Sequence, residues 1–259
     1  MNRNDQMTPM ERLGGFLTGG NMDRILAMPL ICSMSGKCAG MTHKEKRSTA
    51  ENEAKCQIEA YNRFGNDVLI AEYGLHTVGK SLGSKMSDPE DAVPAIIDHV
   101  LKDLADIDQL DFERVKLKNS KDFQLHLECA KILIERMGKE VPTGTCGDTK
   151  KIIPEMLKTK PDMISIDNRV PIGFAKELIQ PYMPLVGNVD PVETMILGTP
   201  EDVDKAVKHC IKEAYDSKNG YILCTGCDLN GNIPLENLDA FMNAARKYGK
   251  FPISPSNWE

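Results

Sequence analysis

The chain has 259 residues, a formal net charge of −6 and 41% hydrophobic residues, enough for one large domain or two small ones. Acidic and basic residues are interspersed, so no basic stripe points to nucleic acid and no basic amphipathic helix to a membrane surface. No 18 apolar residues run together, and the opening MNRNDQMTPMERLGG has no apolar region, so the expectation is a cytoplasmic protein with a small-molecule partner. The eight cysteines then read as reduced thiols, some of them possible metal ligands, and not as a disulfide framework.

Short apolar runs alternate with helices opened by Ser, Thr or Asp, the rhythm of βα units. Thr8-Pro9-Met10-Glu11 combines an N-cap, proline at the first helical position and a capping-box glutamate. Residues 26–31 (LAMPLI) predict a first strand. Thr42-His43-Lys44-Glu45 opens a helix to about Phe64, and residues 67–71 (DVLIA) predict a second strand. Asp88-Pro89-Glu90-Asp91 and Asn119-Ser120-Lys121-Asp122 predict two further helix starts. The second of these helices carries Phe123, Leu127, Ala130, Ile134 and Met137 at helical spacing and stops at Gly138. Strands are expected at 140–145, 163–166, 185–189 and 221–223. A helix after Thr199 lays Val203, Val207, Cys210 and Ile211 on one face, which places Cys210 in the core, and a last helix runs from Pro234 to Tyr248. Residues 251–259 read as a surface extension. That makes about six strands, fewer than the eight that close a (β/α)8 barrel.

Functional groups of parallel α/β folds gather at the carboxyl ends of strands. Cys32 and Cys38 follow the first strand, Glu72 and His76 the second, and Cys146 the third. Asp167 and Asn168 follow the fourth, Asn188 and Asp190 the fifth, and Cys224 and Cys227 the sixth. Thiolates from separate strand ends can converge on Zn²⁺, which takes three protein ligands in a catalytic site. Cys146 and Cys227 form the best pair, although a small buried apolar role is open to each. Cys224, nearer the strand, suits packing better. His76 is the one histidine near a predicted strand end, since His99, His126 and His209 fall inside helical patterns; it is a possible third ligand or a hydrogen-bonding surface group. Glu72 is a comparable candidate, as ligand or substrate contact. Asp190 in GNVDPVE reads first as an N-cap with proline behind it.

At TPMERLGGFLTGGNMDRI, CGDTKKIIPEMLKTKPDMISIDN, LVGNVDPVETMILGTPEDV and YILCTGCDLNGNIPLENLDAFMNAARKYG the chain resembles the uroporphyrinogen decarboxylase superfamily. Within it, the cobalamin (corrinoid)-dependent methyltransferases are the better match. The resemblance implies an α/β fold of the (β/α)8 TIM-barrel type as a single domain over 1–259, with about two βα units missing near 138–146. It implies a zinc site of His-x-Cys plus a later Cys. Here Gly144-Thr145-Cys146 keeps the cysteine and replaces the histidine, and Cys227 matches the last ligand. Asp167 and Asp190 are then the candidate catalytic carboxylates, with Glu72, Asn168 and Asn188 as substrate contacts and Cys146, Cys227 and His76 as metal ligands.

The activity implied is methyl transfer between a small donor or acceptor and the cobalt of a corrinoid protein, aided by zinc. A decarboxylase needs arginine after the first strand for a polyanionic tetrapyrrole, and CSMSGKCAG has none. A non-catalytic subunit left after loss of two barrel units is the remaining alternative. A shortened barrel would expose sheet edges and apolar faces, so a homo-oligomer is expected.

Overall fold

The computed structural model describes residues 5–71, 76–116, 118–144, 163–179 and 181–258. Helix α1 (Pro9–Thr18) begins at the Thr8 capping box, where Glu11 accepts from the Thr8 amide. Strand β1 (Ala27–Met28) leads into a 3-10 segment, Ser33–Ala39. Short α2 (His43–Lys46) and long α3 (Ala50–Phe64) precede β2 (Leu69–Ile70) and α4 (Thr77–Leu82). Strands β3 (Lys85–Met86) and β4 (Ile96–Asp98) form an antiparallel ribbon. Then come α5 (Lys121–Met137), β5 (Thr143–Gly144), β6 (Ile164–Ser165), α6 (Ile172–Ile179), β7 (Leu185–Val189), α7 (Pro200–Ala214), β8 (Tyr221–Thr225) and α8 (Leu235–Tyr248).

Setting the β3–β4 ribbon aside, six described strands are parallel. They lie in the order β6-β7-β8-β1 and, as a second sheet, β2-β5. The Asp67 amide donates to Ala27 O at 2.9 Å, and the Asp67 carboxylate accepts from the Ala27 amide at 2.7 Å, so β2 follows β1 around the same curve. Among the described residues, six parallel strands stand where a closed barrel has eight.

Alternation along the strands sorts side chains into two layers, as a period of two requires. Leu26, Leu30, Ile70, Val186, Ile222 and Cys224 form an inner cluster, with Leu13 and Phe16 of α1 packed against it. Ile25, Ala27, Ile164, Leu185, Val189, Tyr221 and Leu223 face the helices in the larger core, where Val203, Val207 and Ile211 of α7 meet Phe241 and Met242 of α8. Beneath β1, Arg12 (0% exposed) and Arg24 (2%) converge on buried Asp67, with Asp23 and Asp5 completing the network. Each buried charge there has opposite partners, which is what makes its burial tolerable.

Three local expectations differ. The helix from Thr42 to Phe64 is two helices. Ser48 Oγ turns back to Glu45 O at 2.6 Å, and Thr49 caps a new start by accepting from the Asn52 amide, the competition with the helix ladder that serine and threonine bring. No helix follows Asp88. Pro94 lies six residues on and would break it; Asp88 instead binds Lys44 and Arg47, the chain turns into the β3–β4 ribbon, and His99 follows β4. The tail is also more than an extension: Trp258 sets its ring edge-on to Tyr248 at 5.3 Å, and Lys208 donates to Trp258 O. Among the described residues no helix is long and apolar enough to cross a membrane.

Candidate functional site

The carboxyl ends of β6, β7, β8 and β1 meet. After β8 the Gly226 amide donates to Val189 O at the end of β7, at 2.8 Å. A Cβ on Gly226 would stand 2.4 Å from the Asn168 amide nitrogen and 3.0 Å from its Cα. Only glycine lets these two strand ends approach so closely. Asn168 in turn donates to the Asp190 carboxylate at 2.5 Å. The other Asp190 oxygen accepts the amides of Val192 and Glu193, the capping role expected of it, although what it caps is a series of turns and not a helix.

Cys227 stands exposed on this rim, and its neighbours fix its backbone. Thr225 Oγ donates to Cys227 O at 2.9 Å and accepts the Leu30 amide at 3.1 Å. Asp228 accepts the amides of Cys32 (3.1 Å) and Ser33 (3.2 Å) and the Ser33 hydroxyl. Leu229 and Leu30 then continue the zipper, with the Leu229 amide on Leu30 O. Asp228, Thr225 and Ser33 were not singled out from the sequence. The one available signal was an acidic residue directly after the cysteine in TGCD.

The remaining described thiols are packing groups. Cys224 is fully buried and donates to Met28 O, and Cys210 lies in the core under α7, both as expected. Burial pushes the thiols of Cys38, Cys56 and Cys210 up to about 11, and that of Cys129 to about 12. Groups so far from ionisation are poor nucleophiles and poor ligands.

Asn188 donates to the carbonyls of Asp167 (3.0 Å) and Val170 (2.7 Å), so its amide shapes the loop after β6. Asp167 also accepts the Arg169 amide. His76 lies elsewhere, in a cavity of ≈ 340 Å³ bounded by α2, α3, α4, α5 and the ribbon, with His43, Lys46, Arg47, Glu53 and His126. Lys46 and Glu53 are almost wholly buried there, and His126 Nδ1 sits 3.5 Å from Glu53. Arg47 lies 3.1 Å from His43 Nδ1; a guanidinium can only donate, so this contact makes that nitrogen the acceptor. His43 lines a second cavity as well, of ≈ 230 Å³, together with Ser33, Lys37, Asn230 and Asn232 beside the Cys227 loop. Cys146 and Glu72 lie outside the described residues. Among the described residues no three His, Cys, Asp or Glu side chains gather as a metal site.

The family model for uroporphyrinogen decarboxylase (URO-D) matches residues 8–144 and 145–248. The chain belongs to this family. Its relatives include the methylated-thiol–coenzyme M methyltransferase of Methanosarcina mazei, 32% identical over 116 residues, which are 43% of this chain and 30% of the relative. The methylcobamide:CoM methyltransferase MtbA of Methanosarcina acetivorans is 33% identical over 114 residues, 42% of this chain and 32% of the relative. A uroporphyrinogen decarboxylase of Synechococcus sp. is 30% identical over 95 residues, 37% of this chain and 26% of the relative. The chain thus spans about a third of the length of the curated relatives it matches. A solved methyltransferase from Methanosarcina mazei shares the fold, with a TM-score of 0.65 at 16% identity over 94% of this chain and 99% of that one. The α/β barrel type expected from the sequence is therefore the fold of this URO-D family member.

Proposed function

We propose that this protein is a cytoplasmic methyltransferase that moves a methyl group between a small substrate and the cobalt of a corrinoid carried by a separate protein. The observation that carries the reading is Cys227: an exposed thiol at the end of β8, held in place by Thr225 and Asp228, on a rim where the Asn168–Asp190 pair and Asp167 also stand. Methyltransferases among its relatives support it.

Cys227 and Cys146 would hold zinc, with Glu72 as the further ligand in place of His76. Among the described residues the fit rests on Cys227 alone, since His76 lines the cavity between α2 and α5, whose described lining does not include Cys227. When bound, zinc supplies a Lewis acid that lowers the pKa of a coordinated thiol or polarises a methyl ether. The chain's own contribution is positional. Asp190 and Asn168, locked to one another, present a fixed acceptor and donor beside Cys227, and such preorganisation is worth more than flexible contacts of the same kind. Asp167 and Asp190 take the catalytic carboxylate roles, and Asn168 contacts the substrate; Asn188 acts by holding the Asp167 loop.

The decarboxylase alternative asks for cationic groups after β1. The Ser33–Ala39 segment has no arginine, and its one lysine, Lys37, donates to Ile233 O at 3.2 Å.

Elemental analysis of the purified protein beside Cys227→Ser and Cys146→Ser tests the proposal. The expected result is near-stoichiometric zinc in the parent and its loss in both variants, together with methyl exchange with methylcobalamin in the parent alone. Zinc-free parent protein that is folded and inactive would overturn it in favour of a non-catalytic role.

A further inference from the structure

Residues 88–91 (DPED) and the cavity of ≈ 340 Å³ beside His43 take no part in the chemistry at Cys227, and the fold builds them together. Two hydrogen bonds close the base of the β3–β4 connection: the Ser87 amide donates to Ala95 O at 2.9 Å and the Ala95 amide to Ser87 Oγ at 2.8 Å. The tip between them is laid on α2. The His43 amide donates to Asp91 at 3.1 Å, the Lys44 amide to Glu90 O at 2.9 Å, and Asp88 pairs with Lys44 and Arg47. This holds Val93 and Pro94 over the cavity, where with Met86 and Leu125 they make an apolar wall. The opposite character comes from α2 and α3. Lys46 and Glu53 line the same space at 1% and 2% exposed, and His43, three residues before Lys46 on the same helix face, joins them. Because Arg47 donates to His43 Nδ1, the neutral imidazole carries its proton on Nε2. The other charged lining groups pair off at the more exposed rim, Arg47 with Asp88 and Lys80 with Asp122 at 2.8 Å. Inside stand one buried cation and one buried anion, with imidazoles between the helices.

We propose that this cavity binds a small apolar amino acid in its zwitterionic form. Lys46 and the His43 Nε2–H take the carboxylate, Glu53 takes the ammonium, and the wall of Met86, Val93, Pro94 and Leu125 takes the side chain. The volume lies at the low end for ligand sites, which suits a guest of this size. Sign selects the class. A simple anion would share the space with Glu53 and a simple cation with Lys46, and a like charge out of bulk water is costly to both. A wholly apolar guest would strip water from both ions and return no hydrogen bond. A guest with both signs gives each buried ion a charge-assisted partner, and such bonds are the strong ones. Among the described residues the histidines and acids here do not gather as a metal site. The inference holds whether or not Cys227 binds zinc.

Isothermal titration calorimetry on the full chain tests it, with L-leucine and L-methionine as the probes. One or both are expected to bind and to raise the unfolding temperature as their concentration rises. For whichever binds, the analogue without the ammonium and the analogue without the carboxylate are each expected to bind at least about tenfold more weakly, because each loses a charge-assisted bond. Leu125→Trp fills the apolar wall from a partly exposed position on α5 and is expected to abolish binding with an unchanged circular dichroism spectrum. Lys46→Met and Glu53→Gln are expected to weaken it at least about tenfold each. If burial makes these two variants unfold, Leu125→Trp still decides. No binding by either amino acid, an analogue as tight as its parent amino acid, or undiminished binding by folded Leu125→Trp, Lys46→Met or Glu53→Gln would overturn the proposal.

Discussion

Asp228→Ala is the most direct probe of how the rim is built. The carboxylate receives two backbone amides and one hydroxyl from Cys32 and Ser33, residues only 6% and 4% exposed. A hydrogen bond to a charged acceptor contributes ~1.5–3 kcal/mol, and a buried donor left without an acceptor costs ~1–3 kcal/mol. Two amides lose their acceptor together, and water entering the vacated space recovers part of the loss, so the expected destabilisation is about 2–4 kcal/mol. Asp228→Asn keeps one oxygen that can accept both amides, because both converge on the same Oδ1, and is expected to cost about 1 kcal/mol. Urea denaturation reads both values: the midpoint should fall with an unchanged slope, further for alanine than for asparagine. The Cys227 thiol should at the same time become more reactive in the alanine variant as its loop loosens. Equal effects of the two substitutions, or an alanine cost under about 0.5 kcal/mol, would refute the idea that this carboxylate fixes the Cys227 loop.

Two further outcomes are expected. Timed alkylation at pH 8 with mass-spectrometric mapping should label Cys227 first among the described cysteines, with Cys38, Cys56, Cys129 and Cys210 modified only on unfolding, since burial holds their thiols at about 11 to 12; early labelling of Cys129 would contradict the packing at α5. Asp23 gives a pH dependence. Burial would raise its pKa, but the hydrogen bonds and charge of Arg12, with the Gln6 and Met7 amides, outweigh it and hold the group at about 2 against 3.8. A folded value below the unfolded one stabilises fully above about pH 4, and the contribution is lost as pH falls toward 2. After allowance for solvent screening it amounts to ~1–2 kcal/mol, and Asp23→Asn should flatten that part of the stability curve. An acid limb as steep in the variant as in the parent would remove Asp23 from the account.

Most of the six described parallel strands were legible because they are short apolar runs bounded by turn residues, and a strand buried on both faces needs no more signal than that; β5, Thr143–Gly144, is the exception. The strand-end rule likewise led to Asn168, Asp190 and Cys227, which the fold brings to one rim. His76 shows its limit. The rule places it after β2, but whether a strand-end residue leans over the mouth or away from it depends on the next element, here α4 and the ribbon that wall off the α2–α5 cavity. Where two readings competed locally the sequence was also insufficient. Thr49 could continue a helix or cap a new one, and the proline after Asp88 suits a helix start as well as a turn.

By itself, then, the sequence determined the alternation of strands and helices, the family, and which residues reach the carboxyl ends of the strands. The alternation and the strand-end positions follow from periodicity and neighbours a few positions away, whereas the family came from the resemblance of longer motifs. Only the tertiary structure decided that Asp228 clamps Cys32 across 196 residues, that Gly226 is required by Asn168, and that Leu127 and Ile134 are 41% and 59% exposed on a helix whose spacing marks them as core. Those facts depend on which distant segments meet, which neither periodicity nor local spacing specifies.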